Sequence, residues 1–273
     1  MQIHALSKDE LDPQTRTFYC RSLDILTKSQ IPFLIGGAYA FERYTGIARH
    51  TKDLDIFVRP DDCPRILEVF SKAGYYTELT APHWLSKAYC GENFIDFIFK
   101  NANGLGAVDD RWFEHAIEEE VLGMPVRICP AEEMICSKAF VMARDRFDGA
   151  DVAHLLRACS ERLDWPRLLQ RFGDNWRVLY SHLILFGFIY PGERSLIPNG
   201  VMDELAGRLQ HKVNSTPEAE KLCQGTLLSP LQYEVDVNQW GYQDVRLAPR
   251  GNMTAEEISL WTAHLKKNSK AAC

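Results

Sequence analysis

The feature that most constrains this chain is a carboxylate placed inside an otherwise apolar stretch. In Phe94–Phe99 (FIDFIF), Asp96 is the one polar side chain among six residues. The aromatic and β-branched residues predict a strand, and burial of an ionised aspartate there costs free energy unless a charged partner offsets it. The fold must therefore bring a cation to Asp96. This cation is either a bound metal ion or a basic side chain such as an arginine.

Two further aspartates flank Leu54 at the start of a second predicted strand, Leu54–Val58 (LDIFV). Side chains at i and i+2 of a strand point to the same face, about 6.5–7 Å apart, so Asp53 and Asp55 share a face. Three converging acids repel one another and attract divalent cations, and all-oxygen ligands favour magnesium or manganese. The alternative for Asp53 and Asp55 is an exposed strand end with two solvated acids.

A glycine pair precedes these acids by sixteen residues. Gly36 and Gly37 follow the short apolar segment Phe33–Ile35, and a predicted helix, Ala38–Tyr44, begins directly after them. Backbone N–H groups at such a helix start can bind a phosphate, and glycine allows close approach. A glycine pair alone is more often a plain strand–helix turn, but the acids that follow favour a phosphate site.

Together, Ile35–Ala38, Arg49–Phe57 and Ile95–Phe97 resemble the nucleotidyltransferase superfamily with the DNA polymerase β-type fold. The closest subgroup is the small bacterial nucleotidyltransferases that include abortive-infection and toxin–antitoxin toxins. These share the Arg-x-Thr-x-Asp-hydrophobic-Asp form seen at Arg49–Asp55. The resemblance covers about residues 30–155 and implies an α+β fold, in which a polymerase β-like domain with a mixed sheet is followed by a helical domain.

The resemblance also implies roles for the three acids. Asp53, Asp55 and Asp96 would be the catalytic residues and would hold the Mg²⁺ or Mn²⁺ ions. Asp96 would in addition accept the proton of the attacking hydroxyl.

Four other residues are implied to bind the nucleotide. Gly36 and Gly37 would contact its phosphates, and Thr51 would cap the local turn or contact a phosphate. Lys138, on the first helix after the last strand, matches a lysine that reaches the triphosphate in such families, although an exposed helical lysine is the alternative. A Gly-Gly pair replaces the Gly-Ser of many aminoglycoside-modifying members.

The implied activity is transfer of a nucleoside monophosphate from an NTP to an acceptor hydroxyl, with release of pyrophosphate. An RNA or tRNA end, or a protein, is favoured as acceptor, and a cognate antitoxin is expected as partner if the toxin-like resemblance holds. One alternative is a small-molecule (antibiotic) nucleotidyltransferase. Another is a catalytically silent nucleotide-binding module, against which the presence of all three acids argues. A purely structural protein would leave Asp96 unexplained.

The change of pattern along the chain predicts three regions. Helices and short strands fill residues 1–130, the catalytic domain, and a run of helices follows over 131–215. The segment 216–273 is predicted to be an irregular tail with a terminal helix.

Composition limits the remaining classes. A net charge of −6 argues against a protein that coats nucleic acid by charge alone, and eight cysteines without a paired spacing indicate reduced thiols. No apolar run reaches the roughly 20 residues that span a bilayer, and the N-terminus lacks a signal-peptide pattern. We therefore expect a cytoplasmic protein without a membrane partner.

Overall fold

The structure is a computed structural model that describes residues 11–49, 51, 53–214 and 220–271. The described residues fall into two compact units. The first unit contains the residues up to Ala102 and Gly106–Pro130, and the second contains Asn103–Leu105 and the residues from Ala131 onward. The two boundaries between the three predicted regions remain predictions, and residue 215, at the second boundary, and residue 216 lie outside the described residues.

The first unit alternates helices with short strands. Its helices are α1 (Pro13–Ser29), α2 (Gly37–Thr45), α3 (Cys63–Lys72) and α4 (Asp110–Glu114), and its strands are β1 (Leu34–Ile35), β2 (Asp55–Phe57), β3 (Tyr76–Ala81), β4 (Leu85–Cys90), β5 (Asn93–Ile98), β6 (Ile117–Val121) and β7 (Met124–Ile128). The α1 helix begins where the Asp12 carboxylate accepts the Thr15 backbone N–H and Pro13 opens the first turn.

Within the described residues, these strands form one seven-stranded sheet in the order β3-β4-β5-β2-β1-β7-β6. The pairs β2–β5 and β1–β7 are parallel and the others are antiparallel. This mixed sheet confirms the predicted α+β class. This order of strands in the sheet places β2 and β5 side by side at the centre, so the two acid-bearing segments are direct neighbours although they are far apart in the sequence.

Alternation along β5 separates an apolar face from a polar one. Phe97 is fully buried, and its ring lies 5.1 Å from that of Phe70 on α3. Ile95 is also fully buried and shares this face because it lies two positions away. Asp96 lies between them and points to the opposite face. The packing of α3 on one side of the sheet therefore fixes the side on which the carboxylate lies.

The second unit is mainly helical. Its helices are α5 (Ala131–Ala139), α6 (Gly149–Cys159), α7 (Trp165–Phe172), α8 (Trp176–Ile189), α9 (Asn199–Val213), α10 (Glu234–Asn238) and α11 (Ala255–Ala271), and its strands are β8 (Leu222–Cys223) and β9 (Gln243–Asp244). Among the described residues, no helix has the length and apolarity that a membrane crossing requires.

Several elements of the structure differ from the sequence prediction, among them helix α5 and strand β6. The sequence pattern over Glu132–Arg144 predicts one continuous helix, but α5 ends at Ala139 because the chain turns back and Met142 pairs with Phe147 in a β-bridge. Strand β6 was not predicted, since its sequence IEEEV has the three consecutive glutamates of an exposed edge strand.

A buried ion cluster joins two helices of the second unit. The guanidinium of Arg167 on α7 donates to Glu132 at 2.8 Å and to Glu133 at 2.6 Å, both on α5. Arg171 donates to the other oxygen of Glu133 at 2.8 Å. All but Arg171 are less than a tenth exposed. The cluster therefore holds α5 against α7 through charges that water does not screen.

Replacing Arg167 with methionine leaves buried carboxylates without this partner, so we expect a loss of about 3–5 kcal/mol in the free energy of unfolding. Chemical denaturation measures the loss. The control is Arg157→Met, which removes an exposed pair with Glu193 and is expected to cost about 0–1 kcal/mol. Equal losses of stability from the two substitutions would contradict the role of Arg167 as the partner of buried carboxylates.

Candidate active site

Three carboxylates meet on the polar face of the central strands. Asp55 begins β2 and stands in register with Asp96 on β5, and Asp53 lies two residues before Asp55. One carboxylate oxygen of each lies within 4.8 Å of the others. The structure therefore brings together the three acids that the sequence singled out. Their roles as metal ligands and catalytic residues remain predictions.

Asp53 is oriented by a neighbouring hydroxyl. Thr51 donates its hydroxyl proton to the Asp53 carboxylate, and the Thr51 Oγ1 lies 3.4 Å from the Asp53 backbone nitrogen. This turn fixes the Asp53 side chain just before β2 begins. The predicted nucleotide contact of Thr51 remains a prediction, and in this geometry its hydroxyl serves the carboxylate.

Asp96 has a basic partner that is a lysine and not the arginine that the sequence suggested as an alternative. The ammonium of Lys87 on β4 donates to Asp96 Oδ1 at 2.7 Å. Burial raises the pKa of Asp96, the bond and charge of Lys87 oppose this rise, and the charge of Asp53 adds to it. Asp96 is 8% exposed, so both charges act on it with little screening.

The lysine was missed although the sequence contained a signal for it. Two strand-like runs, Trp84–Tyr89 and Phe94–Phe99, flank Gly91–Asn93, and this pattern predicts a hairpin. Outward from its turn, the antiparallel register pairs Cys90 with Asn93 and, three pairs further, Lys87 with Asp96. The hairpin itself was predicted, so its register would have identified this partner.

The glycine pair packs its backbone against β2. The N–H of Gly36 donates to the Asp55 carbonyl at 2.9 Å, and Gly37 begins α2 with φ +52°. A Cβ on Gly37 would overlap the Asp55 carboxylate, and one on Gly36 would overlap the Phe57 ring. Glycine is required at both positions because the backbone approaches β2 so closely. The phosphate contacts of this pair remain a prediction.

Two tyrosines near the acids were not predicted from the sequence. Tyr39 lies in the first turn of α2, and its ring meets that of Tyr19 edge-on at 6.3 Å. Burial, with smaller contributions that include the charge of Asp53, raises the pKa of Tyr39 to about 12 and that of Tyr19 further. Both phenols therefore stay protonated near the carboxylates. The position of Tyr39 beside the glycine pair was a usable signal, whereas Tyr19 on α1 had none.

Lys138 belongs to the second unit, on α5. Its ammonium donates to Asp151 at 2.6 Å and to Asp148 at 3.3 Å. Burial would raise the pKa of Asp148, but the bonds and charges of Arg146 and Lys138 outweigh it and lower that pKa. Lys138 thus takes part in an ion cluster of its own unit, and its contact with a triphosphate remains a prediction.

Comparison with known families identifies the class of protein to which this fold and site belong. A family model described as an uncharacterised nucleotidyltransferase matches residues 26–176, which is more than half of the chain. The match includes the glycine pair, all three aspartates and Lys138. The chain belongs to this nucleotidyltransferase family and is a transferase enzyme by that membership. No curated protein matches it in sequence.

Several solved structures are similar to the chain at low identity. The antibiotic-resistance factor ANT(2″)-Ia shares 15% identity over 63% of this chain and 96% of its own, with a TM-score of 0.45. The lincosamide antibiotic adenylyltransferase LnuA shares 15% over 53% and 96%, with a TM-score of 0.38. A nucleotidyltransferase from Thermotoga maritima shares 13% over 46% and 84%, with a TM-score of 0.37.

The close approach of Gly37 to the Asp55 carboxylate provides a test of the proposed metal site. Gly37→Ala would displace the Asp55 carboxylate, so we expect Mn²⁺ binding, measured by electron paramagnetic resonance, to weaken by about tenfold or more. Gly74→Ala is the matched control, because Gly74 also has a positive φ (+88°) but no heavy atom within 4 Å of its Cβ position. It should cost about 1–2 kcal/mol in stability and leave Mn²⁺ binding intact. Equal Mn²⁺ binding by the two variants would contradict the proposed geometry.

Proposed function

We propose that this protein is a metal-dependent nucleotidyltransferase that moves a nucleoside monophosphate from an NTP to an acceptor hydroxyl and releases pyrophosphate. The observation that supports this is the placement of three carboxylates, with oxygens within 4.8 Å of one another, beside the glycine backbone that begins α2. Membership of a nucleotidyltransferase family supports the same reaction class.

The donor set fits Mg²⁺ or Mn²⁺. All three groups are carboxylates, which hard divalent cations prefer, and their mutual repulsion is relieved by such a cation. Gly37 leaves room for the Asp55 carboxylate where any larger residue would displace it. When bound, the ions would polarise the α-phosphate, activate the attacking oxygen and neutralise charge on the leaving pyrophosphate.

The chain's own residues would position the reactants. The N–H of Gly36 is already bonded to Asp55, so we assign phosphate binding to the N–H groups at the first turn of α2, from Gly37 onward. Asp96 would accept the proton of the attacking hydroxyl. Thr51 would hold Asp53 in place, and Lys138 would contact the triphosphate.

The acceptor is proposed to be an RNA or tRNA end or a protein, with a small molecule such as an antibiotic as the alternative. If the protein acts as a toxin, as the toxin-like resemblance implies, its partner would be a cognate antitoxin. The competing function is a module that binds the nucleotide without transferring it. The full set of acids, assembled at two adjacent strands and the residues just before one of them, favours the enzyme.

Metal binding should stabilise the folded protein. If the carboxylates bind Mg²⁺ or Mn²⁺ in the folded state alone, a saturating concentration should raise the melting temperature by about 5 °C. Asp55→Asn removes one ligand charge, so the shift should disappear while the metal-free variant stays as stable as the wild type or more stable. Differential scanning fluorimetry with and without EDTA measures both. A full metal shift in Asp55→Asn would refute the assignment of Asp55.

Transfer itself is tested with each of the four NTPs, labelled at the α-phosphate, together with Mg²⁺ and a cell extract. We expect label in one fraction, RNA, protein or small molecules, and a loss of about a thousandfold or more in Asp55→Asn. Asp110→Asn, at an exposed acid paired with Arg59, serves as the control and should transfer normally. Magnesium-dependent NTP binding without pyrophosphate release would support the binding module instead.

A further inference from the structure

Lys87 is the basic residue that the sheet places directly against the candidate site. Its ammonium lies 2.7 Å from Asp96 Oδ1 and 4.0 Å from the centre of the Phe94 ring. The side chains of Lys87 and Asp96 are only 17% and 11% exposed. The ammonium is therefore held between a carboxylate and an aromatic face, and both contacts favour a cation.

The strand register fixes this position. Lys87 on β4 stands opposite Asp96 on β5 on one side and opposite Glu78 on β3 on the other. The Glu78 carboxylate accepts from the Tyr89 hydroxyl at 3.4 Å. The acidic groups around Lys87 on these strands are thus Asp96, to which it bonds, and the exposed Glu78.

The pair has two consequences for Asp96. Because Lys87 donates to Oδ1, the Asp96 carboxylate is restrained from rotating about its Cβ–Cγ bond. The same hydrogen bond therefore fixes the direction in which Oδ2 points. The ammonium also offsets one of the three negative charges of the triad. A buried ion pair adds little net stability, because desolvation of both charges opposes their attraction. Stability alone therefore gives a weak reason for a lysine at this position.

We propose that Lys87 is a positioning residue of the nucleotidyl-transfer site, which orients the Asp96 carboxylate and limits the net negative charge that the triad presents to the metal ions. The proposal rests on the proposed function for its catalytic part. Its electrostatic part concerns the protein and the metal alone, and it is testable without any transfer reaction.

The first test measures Mn²⁺ binding by electron paramagnetic resonance in the wild type, Lys87→Met and Lys87→Arg. Methionine keeps an unbranched apolar stem over Phe94 but removes the charge, and arginine keeps the charge. Because the ammonium repels a metal cation at the adjacent carboxylates, we expect Lys87→Met to bind Mn²⁺ about threefold or more tightly. Lys87→Arg should stay close to the wild type. The control Lys72→Met removes the exposed lysine of a helical pair with Glu68 and should change nothing.

The second test measures the steady-state transfer reaction. Loss of the Asp96 orientation should lower the kcat of Lys87→Met by about tenfold to a hundredfold, while KM for the NTP stays unchanged because the phosphate-binding turn is intact. Lys87→Arg should restore most of the kcat. Tighter metal binding together with slower turnover is a combination that simple unfolding does not produce.

The outcomes separate the two proposals. Unchanged Mn²⁺ affinity in Lys87→Met overturns the electrostatic role, and unchanged kcat overturns the orienting role. Weaker Mn²⁺ binding with a lower melting temperature shows that Lys87 is only structural, which also overturns the proposal. If the wild type binds Mn²⁺ but transfers no nucleotide, the proposed function fails while the metal experiment still decides the role of Lys87. Should Lys87→Met not fold, Lys87→Gln takes its place in both tests.

Discussion

The mutual repulsion of three carboxylates is the constraint on which the site depends. Asp53, Asp55 and Asp96 have oxygens within 4.8 Å of one another, and the pairing of β2 with β5 sets Asp55 directly beside Asp96. Like charges at this distance are costly in a partly buried setting. Two neighbouring groups offset part of this cost: the Thr51 hydroxyl donates to Asp53, and the Lys87 ammonium donates to Asp96. The negative charge that remains is what the proposed binding of divalent cations would use.

The order of the strands gives the site two different sides. Asp55 and Asp96 lie on β2 and β5 at the centre of the sheet and Asp53 lies just before β2, with β1 next to β2 and β4 next to β5. The turn after β1 supplies glycine backbone and the start of α2, which suits a phosphate. The β4 side supplies Lys87, which acts on the carboxylate proposed to take the acceptor's proton. In the proposed reaction, the two sides of the triad therefore correspond to the nucleotide and to the acceptor.

The sequence predicted the acids, the glycine pair and Thr51, but not Lys87 or the two tyrosines near the acids. Asp55 and Asp96 stood out because strand periodicity is two and an acid in an apolar strand violates the pattern. Lys87 violated no pattern, and only the register across the hairpin, which periodicity does not supply, places it beside Asp96. Strand β6 was missed for a similar reason: its polar composition reflects its position at the edge of the sheet, and periodicity does not reveal that position. The same limit also explains the helix that ends at Ala139, where a tertiary turn overrides a continuous helical pattern.

Acids with little exposure occur in both units, but the side chains that pair with them differ between the two units. In the second unit, Glu133 on α5 receives two arginine side chains, and Asp148 receives both Arg146 and Lys138. Such clusters are satisfied by basic side chains and need no ion to be stable. At the triad, the Asp53 carboxylate accepts from the Thr51 hydroxyl, the Asp96 carboxylate accepts from Lys87, and the Asp55 carboxylate lies close to Gly37. Neutral partners orient a carboxylate but leave its charge in place. This difference supports the triad, and not the acid clusters of the helical unit, as the proposed metal-binding site.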